Sequence, residues 1–364
     1  MKNLFEKTNI NNIEVKNRFI RAATWDEMAE DDGHINNAFI QRYENLAKGG
    51  VGLILTGYAF ISKDEKPNPG MSGIYDDSFI EEYKILVNKV HKYETKIAMQ
   101  IVYGGSQNEH PDASEMNIYG PSAIKNIVSG ITPKEATKTD IKRIVTKFAD
   151  AAMRVKKAGF DAVEIHAAHG YLLSQFLTPY YNRRTDEYGG DIHNRARIIY
   201  EVIEEIRKRV GNDYPIMIKI KFDDFMDSNQ GLSKEESIEV FKRIDKLGID
   251  MIEPSAVNLS SGESKVPFSK GINTVDKESY FKEDVMNIAS VVNAKVILVG
   301  GNKNIDLMNE ILNTTQIQFF SLSRTLLCEP DLINKWANNK DYKPKCISCN
   351  KCWDEIPNSC IFNR

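Results

Sequence analysis

Eight short apolar runs, alternating with longer amphipathic segments, constrain this chain more than any other feature. The runs are Arg18–Thr24, Val51–Ala59, Lys96–Tyr103, Ala162–His166, Pro215–Phe222, Met251–Ser255, Val296–Gly300 and Ile317–Ser323. Several are rich in Val and Ile and almost unbroken in apolarity, as parallel strands covered on both faces must be. Between them lie helical patterns such as Ile141–Ala158, Arg195–Val210, Lys234–Leu247 and Asp284–Val292. In the first of these, Ile141, Ile144, Val145, Phe148, Ala151, Ala152 and Val155 make one apolar stripe, with Thr139-Asp140 as a cap and Gly159 as a stop. Eight such pairs predict a (β/α)8 TIM barrel over residues 1–340. A doubly wound sheet usually carries a glycine-rich dinucleotide loop after its first strand, and none follows Thr24. Gly104–Lys138 reads as a long insertion after the third strand, and residues 341–364 as a Cys-rich tail beyond the barrel.

The composition, 41% hydrophobic and 27% charged, is that of a globular chain and excludes a disordered or fibrous one. A net charge of −3 with no block of like charges argues against a nucleic-acid surface or a polybasic membrane anchor, so small-molecule partners are expected. The stretch from Gly49 to Ser62 is too short to span a bilayer, and the N-terminus has no apolar secretory core. Four of the five cysteines fall in the last nineteen residues, unlike a secreted disulfide scaffold. A cytoplasmic homo-oligomer is expected.

Barrel enzymes place their chemistry at the C-terminal ends of strands. There the segment Glu164-Ile-His166-Ala-Ala-His169-Gly-Tyr171 carries two imidazoles three residues apart, which face the same way if the chain begins to turn helically. Two imidazoles can donate hydrogen bonds to one oxygen and so polarise a carbonyl or nitro group. Tyr171 adds a phenol suited to delivering one proton. The plainer alternatives are surface histidines or a metal site, but a metal would need a third ligand and no further His or Cys lies beside the pair.

The seventh run ends in Val299-Gly300-Gly301-Asn302 and the eighth in Ser321-Leu-Ser323-Arg324. Glycines admit close backbone approach, and an arginine can fork onto phosphate oxygens. Singly these are an ordinary turn and a surface charge; on consecutive strands they point to a phosphate cradle. Gln100 and Lys219 lie inside apolar runs, where a buried amide and ammonium need partners. Lys219 either forms an internal ion pair with Asp223 or Glu164, or stabilises negative charge on a heterocycle whose edge Gln100 meets. Thr24 could hydrogen-bond the same ring. Together these residues describe a planar, phosphorylated, electron-accepting cofactor.

His166-Ala-Ala-His169-Gly-Tyr171, with Arg184-Thr-Asp-Glu-Tyr-Gly-Gly190 and Asn194-Arg195, resembles the old yellow enzyme family of flavin-dependent ene-reductases. So do Lys16-Asn-Arg18, Gly49-Gly-Val-Gly-Leu53 and Ser323-Arg324-Thr-Leu-Leu, and the resemblance extends over about residues 3–340. It implies an FMN-binding barrel with ping-pong chemistry: NADH or NADPH reduces FMN and leaves, and an activated enone or enoate enters the same site. His166 and His169 would hold the substrate carbonyl, hydride would pass from flavin N5 to the β-carbon, and Tyr171 would protonate the α-carbon. Gln100 would meet the flavin pyrimidine, Lys219 its N1 edge and Thr24 its C4 carbonyl. Ala22, Ala23, Gly57 and Gly300 would complete the flavin site, and Gly301, Ser323 and Arg324 would hold the phosphate. The Arg184–Gly190 segment would be a structural loop near the site. Some bacterial members carry a Cys near N5 where this chain has Ala22-Ala-Thr24-Trp25. Many members read His-Ala-Gly-Arg where it has Tyr103-Gly-Gly-Ser106. Tyr103 and Trp25 are therefore expected on the substrate side, although Trp25 could equally pack in the core.

The tail spacing Cys346-x2-Cys349-x2-Cys352-x7-Cys360 suits an iron–sulfur cluster, structural zinc or free thiols. Longer relatives of the dienoyl-CoA reductase and trimethylamine dehydrogenase types carry a cluster after the barrel, followed by FAD- and NAD-binding domains that this sequence is expected to lack. Their cysteine spacing also differs. Cys328 is expected at the start of the last helix, in buried packing. The alternative functions are amine demethylation and electron transfer. Two carbonyl-binding histidines have no purpose in pure relay, which favours the reductase.

Overall fold

The computed structural model describes residues 1–227, 229–256 and 269–363. Each apolar run becomes a strand within a residue of its expected bounds or inside them. These are β1 Phe19–Arg21, β2 Leu53–Leu55, β3 Lys96–Val102, β4 Ala162–Ala167, β5 Ile216–Lys221, β6 Met251–Ser255, β7 Lys295–Leu298 and β8 Phe319–Leu322. Every neighbouring pair is parallel, from β1–β2 round to β8–β1, so the sheet closes into a (β/α)8 barrel. Closure removes sheet edges and pairs the strand backbones.

The runs are apolar throughout because both faces are covered. Inside, Ile20, Leu53, Leu55, Ala98, Ala162, Met217, Met251, Ile297 and Phe319 pack with Ile10 and Val15. The last two come from an N-terminal hairpin, Thr8–Ile10 with Ile13–Val15, which plugs the end where the strands begin. Outside lie amphipathic helices, among them Lys138–Lys157, Arg197–Val210, Lys234–Lys246 and Lys282–Ala289. The first is capped by Thr137 and not by the expected Thr139-Asp140. The Thr137 hydroxyl takes the Asp140 N–H while the Asp140 carboxylate takes the Thr137 N–H, so the acid acts from inside the first turn. No helix among the described residues is long and apolar enough to cross a membrane.

Two of the sequence motifs tie β1 to β2 at the plugged end. The Asn17 amide donates to the Gly50 carbonyl at 2.8 Å. A Cβ on Gly52 would lie 2.6 Å from the Asn17 carbonyl oxygen, and one on Gly49 only 1.8 Å from that of Pro330. At the opposite end the Arg184–Gly190 loop is a clamp. Its Arg184 pairs with Asp186 and donates to the carbonyls of Pro121 and Ala136, holding down the insertion after β3. That insertion contains a short parallel ladder, Tyr119–Gly120 with Lys134–Glu135.

Gly49→Ala is expected to destabilise the fold by about 1–3 kcal/mol, because the obstructing atoms are backbone and cannot swing aside. Urea unfolding measures this, and an unchanged midpoint would show that the Pro330 segment yields.

Candidate active site

Where the strands end, the barrel opens into a cavity of about 850 Å³. That is the size of a small-molecule site, which usually spans roughly 300–1,000 Å³. Among the expected site residues, Ala22, Ala23, Thr24, Trp25, His169, Tyr171, Lys219, Gly300, Gly301, Ser323 and Arg324 line it. Gly57, Gln100, Tyr103 and His166 do not. Gly57 permits close approach of two strand exits, since a Cβ there would lie 2.8 Å from the Thr24 carbonyl oxygen. Gln100 is buried and donates to Glu164 at 2.6 Å. Tyr103 is buried in the core, its carbonyl holding the Leu172 N–H, and Gln107 and Glu109 further along form the cavity wall in its place.

His166 sits behind His169, 2% exposed, with the two rings 5.2 Å apart and nearly perpendicular. The expected helical turn between them is not what aims them. His169 has φ 59° and Gly170 φ 86°, so the chain reverses through two left-handed residues, and the helix begins only at Leu172. This is an uncommon conformation for a residue with a side chain, and it brings His169 Nε2 within 2.8 Å of the Ser255 hydroxyl at the end of β6. His166 Nδ1 accepts the Ala168 N–H at 3.2 Å, which puts its proton on Nε2. Burial, then the charges of His169 and Lys219, hold the His166 pKa well below its ordinary value. Burial and Lys219 lower that of His169 to about 3. Both rings are neutral near pH 7, and each is a hydrogen-bond donor through a single N–H.

Tyr171 is 7% exposed, and its ring lies 4.9 Å from that of His166. Burial pushes its ionisation up to about 12, a rise limited by the neighbouring Tyr58 hydroxyl and by the Asn68 amide, which donates to it. A phenol in that range keeps its proton at neutral pH and can give it up. Sequence reasoning missed both supports. Tyr58 hides inside an apolar run, and Asn68 stands in Lys66-Pro-Asn-Pro69, where nothing marks it as more than a loop residue.

Lys219 pairs with Glu253 at 2.6 Å and not with Asp223 or Glu164. Register decides this, because Lys219 stands opposite Glu253 on β6 and opposite His166 on β4. Gln100 likewise stands opposite Glu164. Burial and the Glu253 charge raise the Glu164 carboxyl to about 8. One oxygen each of Glu164 and Glu253, and the Ser321 hydroxyl on the cavity wall, have no hydrogen-bond partner among the described residues. Buried polar atoms seldom stay unpaired, so the Ser321 hydroxyl, which lines the cavity, marks a place for a polar ligand. On the same wall the Thr24 and Ser323 hydroxyls are 2.9 Å apart. Arg324 donates to the Ser269 carbonyl at 2.8 Å and to the Asn350 side chain. Gly300 and Gly301, at φ 117° and 76°, turn beneath Tyr280, whose ring a Cβ on Gly300 would meet at 2.8 Å.

The tail packs onto this mouth and contributes Cys346, Ser348 and Trp353 to the cavity, with Lys303 donating to the Cys346 carbonyl at 2.8 Å. The expected ligand set of Cys346, Cys349, Cys352 and Cys360 is not assembled. Among the described residues no three His, Cys, Asp or Glu side chains gather to hold a metal ion. Instead Cys346 and Cys360 pack with Cys328, which ends the helix Arg324–Cys328 and does not begin it, while Cys349 is half-buried. Burial raises the pKa of the Cys328 and Cys352 thiols.

Residues 3–342 match the NADH:flavin oxidoreductase / NADH oxidase family. The chain is 32% identical over 353 residues to an NADH oxidase of Thermoanaerobacter brockii, covering 96% of this chain and 53% of that protein. It is 32% identical over 338 residues to an NADPH dehydrogenase of Clostridium acetobutylicum, covering 93% and 95%. In fold it is similar to 2-naphthoyl-CoA reductase, with a TM-score of 0.86 at 24% identity over 96% of this chain and 54% of that one. The chain thus spans about half the length of the first and third of these proteins and nearly all of the second.

Both imidazoles are expected to stay neutral between about pH 8 and pH 5, where an ordinary histidine titrates. The depressed folded pKa of His169 contributes stability that is present above the unfolded value of about 6.5. That stability is lost as pH falls toward about 3. Nitrogen-15 NMR of the histidine rings reads this directly, and a ring titrating near its ordinary value would contradict the burial.

Proposed function

This chain belongs to the NADH:flavin oxidoreductase / NADH oxidase family, that of the old yellow enzymes, and from that premise we propose that it uses FMN and NADH or NADPH to reduce activated C=C bonds of α,β-unsaturated carbonyl compounds. The observation that carries the proposal is two neutral imidazoles packed against a buried phenol beside one cavity.

The wall suits a planar, phosphorylated flavin. Thr24, Lys219 and the unpaired Ser321 hydroxyl would meet the ring edge, with Gln100 held behind them by Glu164. Ala22 and Ala23 leave room for the ring, and the backbone at Gly300 and Gly301 with Ser323 and Arg324 would take the phosphate. Bound FMN supplies the hydride, which it receives from the nicotinamide nucleotide.

The rest is the work of side chains. His166, seated behind His169, would offer its Nε2–H to a substrate carbonyl oxygen that enters past the His169 ring. The second donor would be the His169 Nδ1–H, in the tautomer whose Nε2 accepts from the Ser255 hydroxyl. Two preorganised donors stabilise the negative charge that grows on this oxygen as the β-carbon is attacked. Because both rings are neutral they polarise without protonating, and the proton for the α-carbon comes from Tyr171. Lys219, charge-paired with Glu253, stabilises negative charge on the cofactor edge. A pure electron relay would leave the histidine pair without a role.

His166→Ala combined with His169→Ala is expected to abolish enone turnover while leaving yellow, FMN-bound protein; undiminished turnover would overturn the assignment. Tyr171→Phe is expected to slow the alkene half-reaction by about 10²–10⁴-fold, the usual worth of a general acid, with a smaller effect on flavin reduction by nicotinamide. Stopped-flow absorbance separates the two half-reactions.

A further inference from the structure

Three polar side chains from three segments meet on the wall behind the proposed proton donor. The Asn68 amide nitrogen lies 3.2 Å from the Tyr171 hydroxyl and 3.2 Å from that of Tyr58. An amide nitrogen has two protons, so it donates one to each phenol. The Tyr58 and Tyr171 rings lie 5.5 Å apart. Tyr58 packs edge-on against His166 as well, at 5.9 Å. Asn68 is buried, whereas Tyr58 is half-buried and borders the cavity.

The second Asn68 proton, taken by the Tyr58 hydroxyl, fixes the plane of the amide. Tyr171 accepts from Asn68, and its own O–H is left to point into the cavity.

We propose that Asn68, its amide held by Tyr58, is a positioning residue that aims the Tyr171 proton at the substrate. The proposal rests on Tyr171 as the proton donor of ene reduction. As a C–H bond forms at the α-carbon, the Tyr171 O–H bond breaks and leaves a phenolate that the Asn68 hydrogen bond stabilises. A solvent proton entering through the cavity restores Tyr171. The net donor is water, and no further oxidant or reductant takes part. Asn68 thus stabilises the phenolate formed in the transition state and contributes little to holding the substrate.

The test compares wild type, Tyr58→Phe and Asn68→Leu with two acceptors in the alkene half-reaction. One is 2-cyclohexenone, whose reduction is completed by a proton. The other is β-nitrostyrene, whose hydride adduct leaves as a stable nitronate and needs none. Both variants are expected to slow reoxidation by cyclohexenone about tenfold or more, part of the 10²–10⁴ that a general acid supplies, and far more than reoxidation by nitrostyrene. A second readout uses no turnover. The ring-carbon NMR resonance of the Tyr171 hydroxyl carbon, assigned by its loss in Tyr171→Phe, is expected to move in Asn68→Leu as its hydrogen bond is lost, and in Tyr58→Phe as the amide loses its second anchor. Equal slowing with both acceptors, or a resonance that stays in place, would overturn the positioning role while leaving the proposed function standing. Wild-type protein inert toward cyclohexenone would overturn the proposed function and the positioning role with it, and the resonance would still report whether the three side chains touch.

Discussion

In the parallel register of β4, β5 and β6, Lys219 falls between His166 and Glu253, and this one row sets the electrostatics of the cavity. A closed barrel cannot shift a single strand without shifting all its neighbours, so the row is held by the whole ladder. The Lys219 ammonium, fixed by its carboxylate at 2.6 Å, helps hold both imidazoles neutral. Burial takes away the water that would otherwise stabilise a charged ring.

Such an arrangement is poorly explained by stability alone. A buried ion pair recovers in Coulomb attraction little more than it loses in hydration, and a hydrophobic pair of the same shape often does as well. Oxygens of Glu164 and Glu253 that have no partner among the described residues add to that cost. The stability comes from elsewhere: the inner apolar layer, the hairpin plug, and the tight glycine contacts at Asn17 and Pro330. One end of the barrel is built for cohesion, and the polar groups are concentrated at the other.

Chemistry carried by contiguous residues was legible in the sequence, and chemistry assembled across loops was not. His166, His169 and Tyr171 stand within six residues at a strand exit, so their roles could be argued from spacing. Tyr58 and Asn68 carry no such signal, since one reads as strand and the other as loop, and only folding brings them to Tyr171. Tyr103 was placed on the pocket by its position after β3, but its ring turns into the core. The four clustered cysteines suggested a ligand set, whereas the folded tail sorts them by burial and brings Cys328 among them.

The sequence by itself determined the barrel, because strands covered on both faces leave an apolar signature with a strict count, and it determined which strand ends carry reactive groups. Tertiary structure alone decided how those groups are arranged. The partner of Lys219 was chosen by strand register, the aim of His169 by a left-handed turn beside Ser255, and the company of Tyr171 by loops far apart in the chain. The physical reason is one of range. Periodicity and propensity are local and can be read along a chain, whereas a hydrogen bond or an ion pair depends on ångström distances between segments that only the closed fold brings together.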